Sequence, residues 1–212
     1  DFLRPDGHQA LPDIDVSVLD SVPGLSWACL AEAGPGDVPG EVVRDCDALL
    51  VLAPKITAAT LAPAERLTVV ARIGVGYDSV DVEACTREGV ALTITPDGVR
   101  RPVASAALAF LLALAHRLPL KDRLARQGRW AEKADHMGIG LRGRSLGLVG
   151  LGNIGSEVCR LAEPLDMCLL AADPFAEATQ AQALGVQLVP LPSLLERADF
   201  VLICCALTAD TH

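Results

Sequence analysis

Three glycines, Gly150, Gly152 and Gly155, lie between an apolar run of strand length and a stretch that is typical of a helix. Asp173 follows 18 residues after the last of them, at the end of the next apolar run. A strand, a glycine turn, a helix and a distal acidic residue in this order are typical of dinucleotide-binding domains. The feature therefore predicts a parallel α/β sheet that binds a dinucleotide, and a glycine turn without a ligand is the alternative.

Each residue of this turn is expected to have its own task. Gly150 permits a tight turn, Gly152 lets a diphosphate approach the backbone, and Gly155 lets the helix pack closely on the strand. The free N–H groups near Asn153 and Ile154 lie at the positive end of the helix dipole, where they can receive phosphate charge.

Asp173 predicts which dinucleotide is bound. Its carboxylate can accept hydrogen bonds from both ribose hydroxyls, and its charge would repel a 2′-phosphate. Residues 174–176 contain no arginine that could hold such a phosphate. The sequence therefore favours NAD over NADP.

Apolar runs of strand length alternate with helical stretches along the whole chain, which implies parallel sheets. We predict a first domain over residues 1–100 and a dinucleotide domain over 101–212. The second domain has four strands, so it is incomplete beside a full doubly wound sheet. The predicted strands are 47–53, 67–73, 90–94, 146–149, 167–172, 186–189 and 200–204, and the predicted helices include 80–88, 102–118, 154–161, 177–184 and 191–197.

Composition argues against several classes of function. The chain has 18 Lys and Arg against 27 Asp and Glu, and its net charge of −9 disfavours nucleic acids and membrane surfaces. The apolar run 103–115 is shorter than the roughly 20 residues of a membrane span. The predicted helix 102–118 is apolar all round, so we expect it to be buried within the protein. Seven cysteines without paired spacing predict buried thiols of a cytoplasmic protein, with no disulfides and no metal site.

A second pair of glycines, Gly74 and Gly76, follows the run 67–73 and encloses Val75. Two glycines at the end of a strand expose backbone N–H groups that can cradle a carboxylate. Taken alone, the pair is more typical of a plain turn between a strand and a helix.

With both glycine clusters in place, the sequence resembles the D-isomer-specific 2-hydroxyacid dehydrogenases. The resemblance implies a flavodoxin-like substrate domain followed by a doubly wound (Rossmann) NAD-binding domain. It also implies hydride transfer between NAD and C2 of a small D-2-hydroxy or 2-oxo acid, and a homodimer formed through the nucleotide domain. The segments that carry it are 71–81, 95–98, 102–118, 147–155, 172–174 and 199–208.

The resemblance also implies roles for single residues. The backbone of Gly74, Val75 and Gly76 would hold the substrate carboxylate, and Cys205 would lie against the cofactor. In the family the catalytic arginine, acidic residue and histidine lie beyond the position of Thr208, so no catalytic residue is assigned in this chain. We therefore expect a C-terminally truncated fragment that binds NAD without turnover. A non-catalytic NAD(H)-binding sensor, similar to co-repressors of this fold, is the alternative.

Charged residues outside the motifs leave alternatives open. Lys55 could reach an anion, although a solvated lysine is the simpler interpretation. Arg100 and Arg101 stand before a predicted helix start, where the dipole disfavours positive charge. They are expected to steer an acidic substrate, to pair with a carboxylate, or to be plain surface residues.

The remaining candidates are two histidines and a tryptophan. His116 and His136 have no visible partner arrangement and are expected to be structural. The charged segment around Trp130 is the candidate dimer contact.

Overall fold

Short apolar runs that end at glycine or proline form the strands of two separate parallel sheets. The computed structural model describes residues 15–30, 36–208 and 210–212, and separates two units, Asp1–Thr95 and Pro96–His212. This border falls five residues before the predicted one, because a helix already begins at Pro96. All seven predicted strands are present, and their ends differ from the prediction by at most two residues.

The first unit is built on a parallel sheet of three strands in the order β1–β2–β3. Its core is apolar and is formed by side chains of strands and helices together, with Val70 of the central strand fully buried. A 3-10 turn covers Ser17–Ser21. The strands are β1 (Ala48–Val51), β2 (Val69–Arg72) and β3 (Ala91–Ile94), and the helices are α1 (Gly40–Val43), α2 (Ala58–Leu61) and α3 (Val82–Glu88).

The second unit contains a parallel sheet of four strands in the order β6–β5–β4–β7. The first strand in sequence thus lies between the second and the fourth, which is the arrangement of a doubly wound nucleotide-binding sheet. The strands are β4 (Ser145–Val149), β5 (Cys168–Ala172), β6 (Val186–Leu188) and β7 (Phe200–Ile203). The helices are α4 (Pro96–Ala115), α5 (Leu118–Arg126), α6 (Asn153–Ala162), α7 (Ala178–Ala183) and α8 (Leu191–Arg197), with 3-10 turns at Trp130–His136 and Glu163–Leu165.

Strand β4 is buried on both faces, as expected for the inner strand of a parallel sheet. Leu146 and Leu148 are fully buried, and Gly147 between them is buried as well. A Cβ on Gly147 would lie 2.6 Å from Cδ2 of Leu194, so this glycine allows α8 to pack directly on the strand. The glycine turn after β4 therefore follows a strand that is tightly packed on both faces.

Helix α4 differs from the prediction at its start. It begins six residues before Pro102 and continues through it. A proline inside a helix removes one N–H donor, here the donor for the carbonyl of Gly98, and the helix tolerates this loss near its beginning. Sequence reasoning placed the start at Pro102 because proline is common in the first turn.

The predicted all-round burial of α4 is wrong. Only Ala104, Leu111 and Ala115 are buried, whereas Phe110 and Leu114 are 69% and 70% exposed. One face of the helix packs against α6, and the other face is left open. Within the described residues, α4 is also the one helix that is long and apolar enough to cross a bilayer, by length and composition alone.

Candidate nucleotide and carboxylate sites

The glycine turn after β4 has the close contacts that its sequence requires. Gly150 has φ +99°, and a Cβ on it would lie 2.8 Å from the backbone nitrogen of Cys205. A Cβ on Gly155 would collide with the carbonyl oxygen of Gly150. Gly152, in contrast, would place a Cβ in open space, with nothing within 4 Å. The turn is therefore packed on its inner side and open at Gly152, as a turn that receives a diphosphate must be.

The amino end of α6 supplies hydrogen-bond donors at this open position. Gly152 is the N-cap residue, and it has no side chain that could bond to the first turn. The first recorded helical bond runs from the Ser156 N–H to the carbonyl of Gly152, at 2.9 Å. The N–H groups of Gly152, Asn153 and Ile154 precede that bond, so they lack a carbonyl partner within the helix and can meet an anion.

Asp173 at the end of β5 is tied to the glycine turn. Its Oδ2 accepts a hydrogen bond from the Leu151 N–H at 2.7 Å, and its Oδ1 accepts one from the Phe175 N–H at 2.8 Å. Each carboxylate oxygen has a further lone pair. The side chain is thus held in place beside the turn and retains acceptor capacity for a ribose.

The two adjacent cysteines after β7 border the turn from the other side. The backbone of Cys205 lies against Gly150, and its side chain is half-buried. Burial raises the pKa of the Cys204 thiol, and burial also raises the pKa of Cys159 on α6 to about 11. Both of these thiols stay protonated near neutral pH, so they act as small apolar groups beside the turn.

The glycine pair of the first unit is fixed by Thr95. The Gly74 N–H donates to Thr95 Oγ1 at 2.8 Å, and the Thr95 N–H donates to the Gly74 carbonyl at 2.9 Å. The Gly74 N–H therefore already has a partner in this structure, and its predicted contact with a carboxylate stays a prediction. Val75 and exposed Gly76 keep that predicted role.

Arg72 lies directly under this loop. Its guanidinium approaches Gly74, and its Nη1 donates to the carbonyl of Ile73. Its Nε is buried without a hydrogen-bond partner, and no carboxylate within the described residues forms a salt bridge with it. The loop thus carries a positive charge that is not neutralised by a neighbouring side chain.

The two arginines near the start of α4 pair with carboxylates, one of the three interpretations that the sequence left open. Arg100 lies 3.2 Å from Asp97, and Arg101 lies 2.6 Å from Glu157 of α6. Both lie within the helix rather than before it, because α4 begins at Pro96. Glu157 also contacts Arg160 at 3.2 Å, and its side chain is only 9% exposed.

The other charged candidates contribute little to either site. Lys55 is exposed, and its backbone forms a bridge with Asp37. His116 is exposed and His136 is half-buried. Within the part of the chain that the structure describes, no group of three or more potential metal ligands is present.

Residues 108–212 match the family described as D-isomer specific 2-hydroxyacid dehydrogenase, NAD binding domain. Over 177 residues the chain is 40% identical to a glyoxylate reductase of Korarchaeum cryptofilum, and the match covers 81% of this chain and 53% of that protein. The chain belongs to the D-isomer-specific 2-hydroxyacid dehydrogenase family. NAD is therefore the cofactor of its second unit.

Other relatives of this chain agree with that assignment. It is 36% identical over 157 residues to a D-3-phosphoglycerate dehydrogenase of Archaeoglobus fulgidus, covering 74% of this chain and 30% of that enzyme. A crystal structure of a Thermus thermophilus protein matches it with a TM-score of 0.74 at 32% identity, over 82% of this chain and 55% of that one. The chain thus spans about half the length of the glyoxylate reductase and less of the phosphoglycerate dehydrogenase.

Sequence reasoning missed two polar side chains beside the glycine turn after β4. Ser156 Oγ and Gln180 Nε2 both donate to the carbonyl of Leu151. Ser156 follows the last glycine directly and could have been examined as part of the motif. Gln180 lies 29 residues from Leu151, and no local pattern marks it.

Proposed function

We propose that this chain is the nucleotide- and carboxylate-binding part of an NAD-dependent oxidoreductase that acts on a small D-2-hydroxy acid or 2-oxo acid. The observation that carries the proposal is the bond between Asp173 and the Leu151 N–H at 2.7 Å. It joins the acidic residue that selects NAD to the turn that would receive the diphosphate.

In this proposal the second unit binds and orients the dinucleotide. The N–H groups of Gly152, Asn153 and Ile154 donate hydrogen bonds to the negatively charged diphosphate at the amino end of α6. Asp173 accepts hydrogen bonds from the ribose hydroxyls, and its charge disfavours a 2′-phosphate. The backbone of Cys205, which lies against Gly150, limits the space beside the turn.

The first unit would bind the acid group of the substrate. The N–H groups of Val75 and Gly76 are the proposed donors, since that of Gly74 is bonded to Thr95. The charge of Arg72 lies beneath the same loop. Backbone donors and a guanidinium together favour a carboxylate over a neutral substrate.

Bound NADH would supply the hydride for reduction at C2 of the 2-oxo acid. We assign no proton-transfer residue in this chain. The residues proposed above therefore contribute binding and orientation, of the dinucleotide in the second unit and of the acid group in the first.

Direct binding measurements test the proposal. We expect the 212-residue chain to bind NADH, seen as a change in nicotinamide fluorescence, and to bind NADPH at least tenfold more weakly. Replacement of Asp173 by Ala should weaken NADH binding and reduce the preference over NADPH. If wild-type protein ignores NADH, or if Asp173→Ala changes neither affinity, the cofactor assignment to these residues is wrong.

A turnover assay distinguishes the second candidate function. A 2-oxo acid panel that includes glyoxylate, with NADH oxidation followed by absorbance, should show saturable turnover for the enzyme in its full length. A non-catalytic sensor would bind NADH and leave every acid unchanged. The exposed apolar face of α4 supports a partner surface in either case, because monomeric proteins rarely expose large contiguous apolar patches.

We propose a second copy of the chain as the partner on that face, in line with the homodimer that the family resemblance implies. Trp130 is 67% exposed, and Phe110 and Leu114 are exposed to a similar degree. Trp130 also lines a pocket of about 130 Å³ together with Leu124. The cytoplasmic location, which was inferred from the cysteines, stays a prediction.

A further inference from the structure

The carbonyl group of Leu151, between the first two glycines of the turn, is held by two side chains. Ser156 Oγ donates to it at 3.1 Å and Gln180 Nε2 at 3.2 Å, and Gln180 Nε2 also lies 2.9 Å from Ser156 Oγ. A carbonyl oxygen can only accept, so Gln180 must present its amide nitrogen here. The two N–H groups of that amide match the two acceptors.

Both polar backbone groups of Leu151 are therefore fixed. Its N–H donates to Asp173, and its carbonyl accepts from Ser156 and Gln180. Leu151 is 1% exposed and Ser156 is 4% exposed, so the bond between them is sheltered from water, whereas Gln180 reaches the carbonyl from an exposed position on α7. Few residues in a connecting loop are constrained to this extent.

The fixed carbonyl determines where the next N–H points. The C=O and N–H of a trans peptide point in opposite directions, and the peptide between Leu151 and Gly152 is trans. Because the Leu151 carbonyl faces Ser156 and Gln180, the Gly152 N–H faces the other way. Gly152 is exposed, and an added Cβ would have nothing within 4 Å, so the turn is open at this residue.

We propose that Gln180 and Ser156 are positioning residues for the diphosphate of the dinucleotide. Neither side chain touches the ligand in this proposal. They hold the Leu151–Gly152 peptide so that the Gly152 N–H is already aimed at a phosphate oxygen before binding. The inference rests on the proposed binding of NAD at this turn.

The expected advantage is preorganisation. A loop that is already in its bound conformation loses less freedom when the ligand arrives, which improves affinity. A single neutral hydrogen bond contributes about 0.5–1.5 kcal/mol. The loss of the Gln180 bond should therefore weaken diphosphate binding by roughly 3–10-fold.

Calorimetric titration of four proteins with NADH and with adenosine tests this role. The proteins are wild type, Gln180→Met, Ser156→Ala and the matched control Gln182→Met, which alters an exposed glutamine on the same helix. Methionine keeps the length of glutamine and removes the donor. Adenosine retains the ribose that Asp173 would contact, but it has no diphosphate.

We expect Gln180→Met and Ser156→Ala to raise the Kd for NADH about 3–10-fold, with little change for adenosine and with Gln182→Met equal to wild type. Equal losses for both ligands would mean a general structural role and would overturn the proposal. Unchanged NADH binding in both variants would overturn it as well.

Failure of the underlying function gives a different result. In that case wild-type protein itself would bind no NADH. A further readout needs no ligand: the amide resonance of Gly152 in a ¹⁵N-labelled chain should shift in Gln180→Met and stay in place in Gln182→Met. An unmoved Gly152 resonance in Gln180→Met would show that the side chain does not set this peptide.

Discussion

Thr95 and Gly74 form two hydrogen bonds with each other across the ends of neighbouring strands. The Gly74 N–H donates to the Thr95 hydroxyl at 2.8 Å, and the Thr95 N–H donates to the Gly74 carbonyl at 2.9 Å. Gly74 is buried and has φ +128°, a conformation that residues with a Cβ rarely adopt. The loop 74–76 is thus shaped by a side chain that follows the next strand.

Replacement of Thr95 by Val should destabilise the first unit, because the buried Gly74 N–H loses its acceptor. An unsatisfied buried donor costs about 1–3 kcal/mol. Thr95→Ser keeps the hydroxyl and should remain close to wild type. Urea denaturation of both variants measures the difference, and equal stability of Thr95→Val and Thr95→Ser would contradict this role of the hydroxyl.

Alanine at two positions of the glycine turn after β4 should separate folding from binding. Gly155→Ala places a Cβ against the carbonyl of Gly150, and backbone cannot move aside easily. Overpacking of this kind costs about 1–3 kcal/mol, so thermal stability should fall. Gly152→Ala meets no protein atom within 4 Å and has an ordinary φ of −72°, so the fold should tolerate it.

NADH affinity, in contrast to stability, should be sensitive to the substitution at Gly152. A methyl group at position 152 occupies the space into which the diphosphate would come, and we expect NADH affinity to drop at least tenfold while the melting temperature of the free protein stays unchanged. Thermal unfolding and fluorescence titration of the same samples give both quantities. Wild-type NADH affinity in Gly152→Ala would show that the ligand does not approach the backbone there.

The sequence predicted those parts of the molecule that depend on local pattern. The glycine turn, Asp173 and the seven strands each have a signal within a few neighbouring residues, namely apolar length, glycine spacing or the end of a strand. The order of β4 between β5 and β7 follows from the doubly wound pattern. These features could be predicted because local chemistry decides them.

The features that were missed depend on contacts between distant residues. Gln180 reaches Leu151 across 29 positions, and Arg101 reaches Glu157 across 56. The start of α4 was placed too late because Pro102 also fits a first turn, whereas the helix begins at another proline, Pro96, with Asp97 in its first turn. The hydrogen bond from the Gly74 N–H to Thr95 is likewise a tertiary contact, which the spacing of residues in the sequence does not predict.

Stability should depend on pH through Glu157. The hydrogen bond from Arg101 holds the pKa of its carboxyl below the ordinary value of 4.5, and Arg160 acts in the same direction. A carboxyl with a depressed pKa in the folded state stabilises the protein above its ordinary pKa. This contribution is lost as the pH falls from about 4.5 through the lowered value.

Comparison of wild type with Glu157→Gln isolates this contribution from that of the other carboxyls. Wild type should be the more stable protein at pH 7, and the gap should narrow as the pH falls below 4.5. Chemical denaturation at a series of pH values measures the gap. A gap that stays constant down to pH 3 would show that the charge of Glu157 is not what holds α4 to α6.

The open face of α4 should control association of the chain. Burying a Phe or Leu side chain contributes about 1.5–3 kcal/mol, and a symmetric dimer would bury Phe110 and Leu114 of both copies. A glutamate at position 114 would place an unpaired charge in that interface, which is costly. We expect Leu114→Glu to raise the dimer dissociation constant at least tenfold, as measured by analytical ultracentrifugation.

The fold should tolerate this change, since Leu114 is 70% exposed in the single chain. Leu195→Glu on α8 is the matched control, because Leu195 is 57% exposed and lies outside this face. The control should remain dimeric, while Leu114→Glu should sediment as a monomer at the same concentration with an unchanged circular dichroism spectrum. A wild-type chain that is already monomeric at tens of micromolar would rule out this face as the dimer contact. Equal dissociation of Leu195→Glu and Leu114→Glu would do the same, because a specific interface is weakened only by the substitution that lies within it.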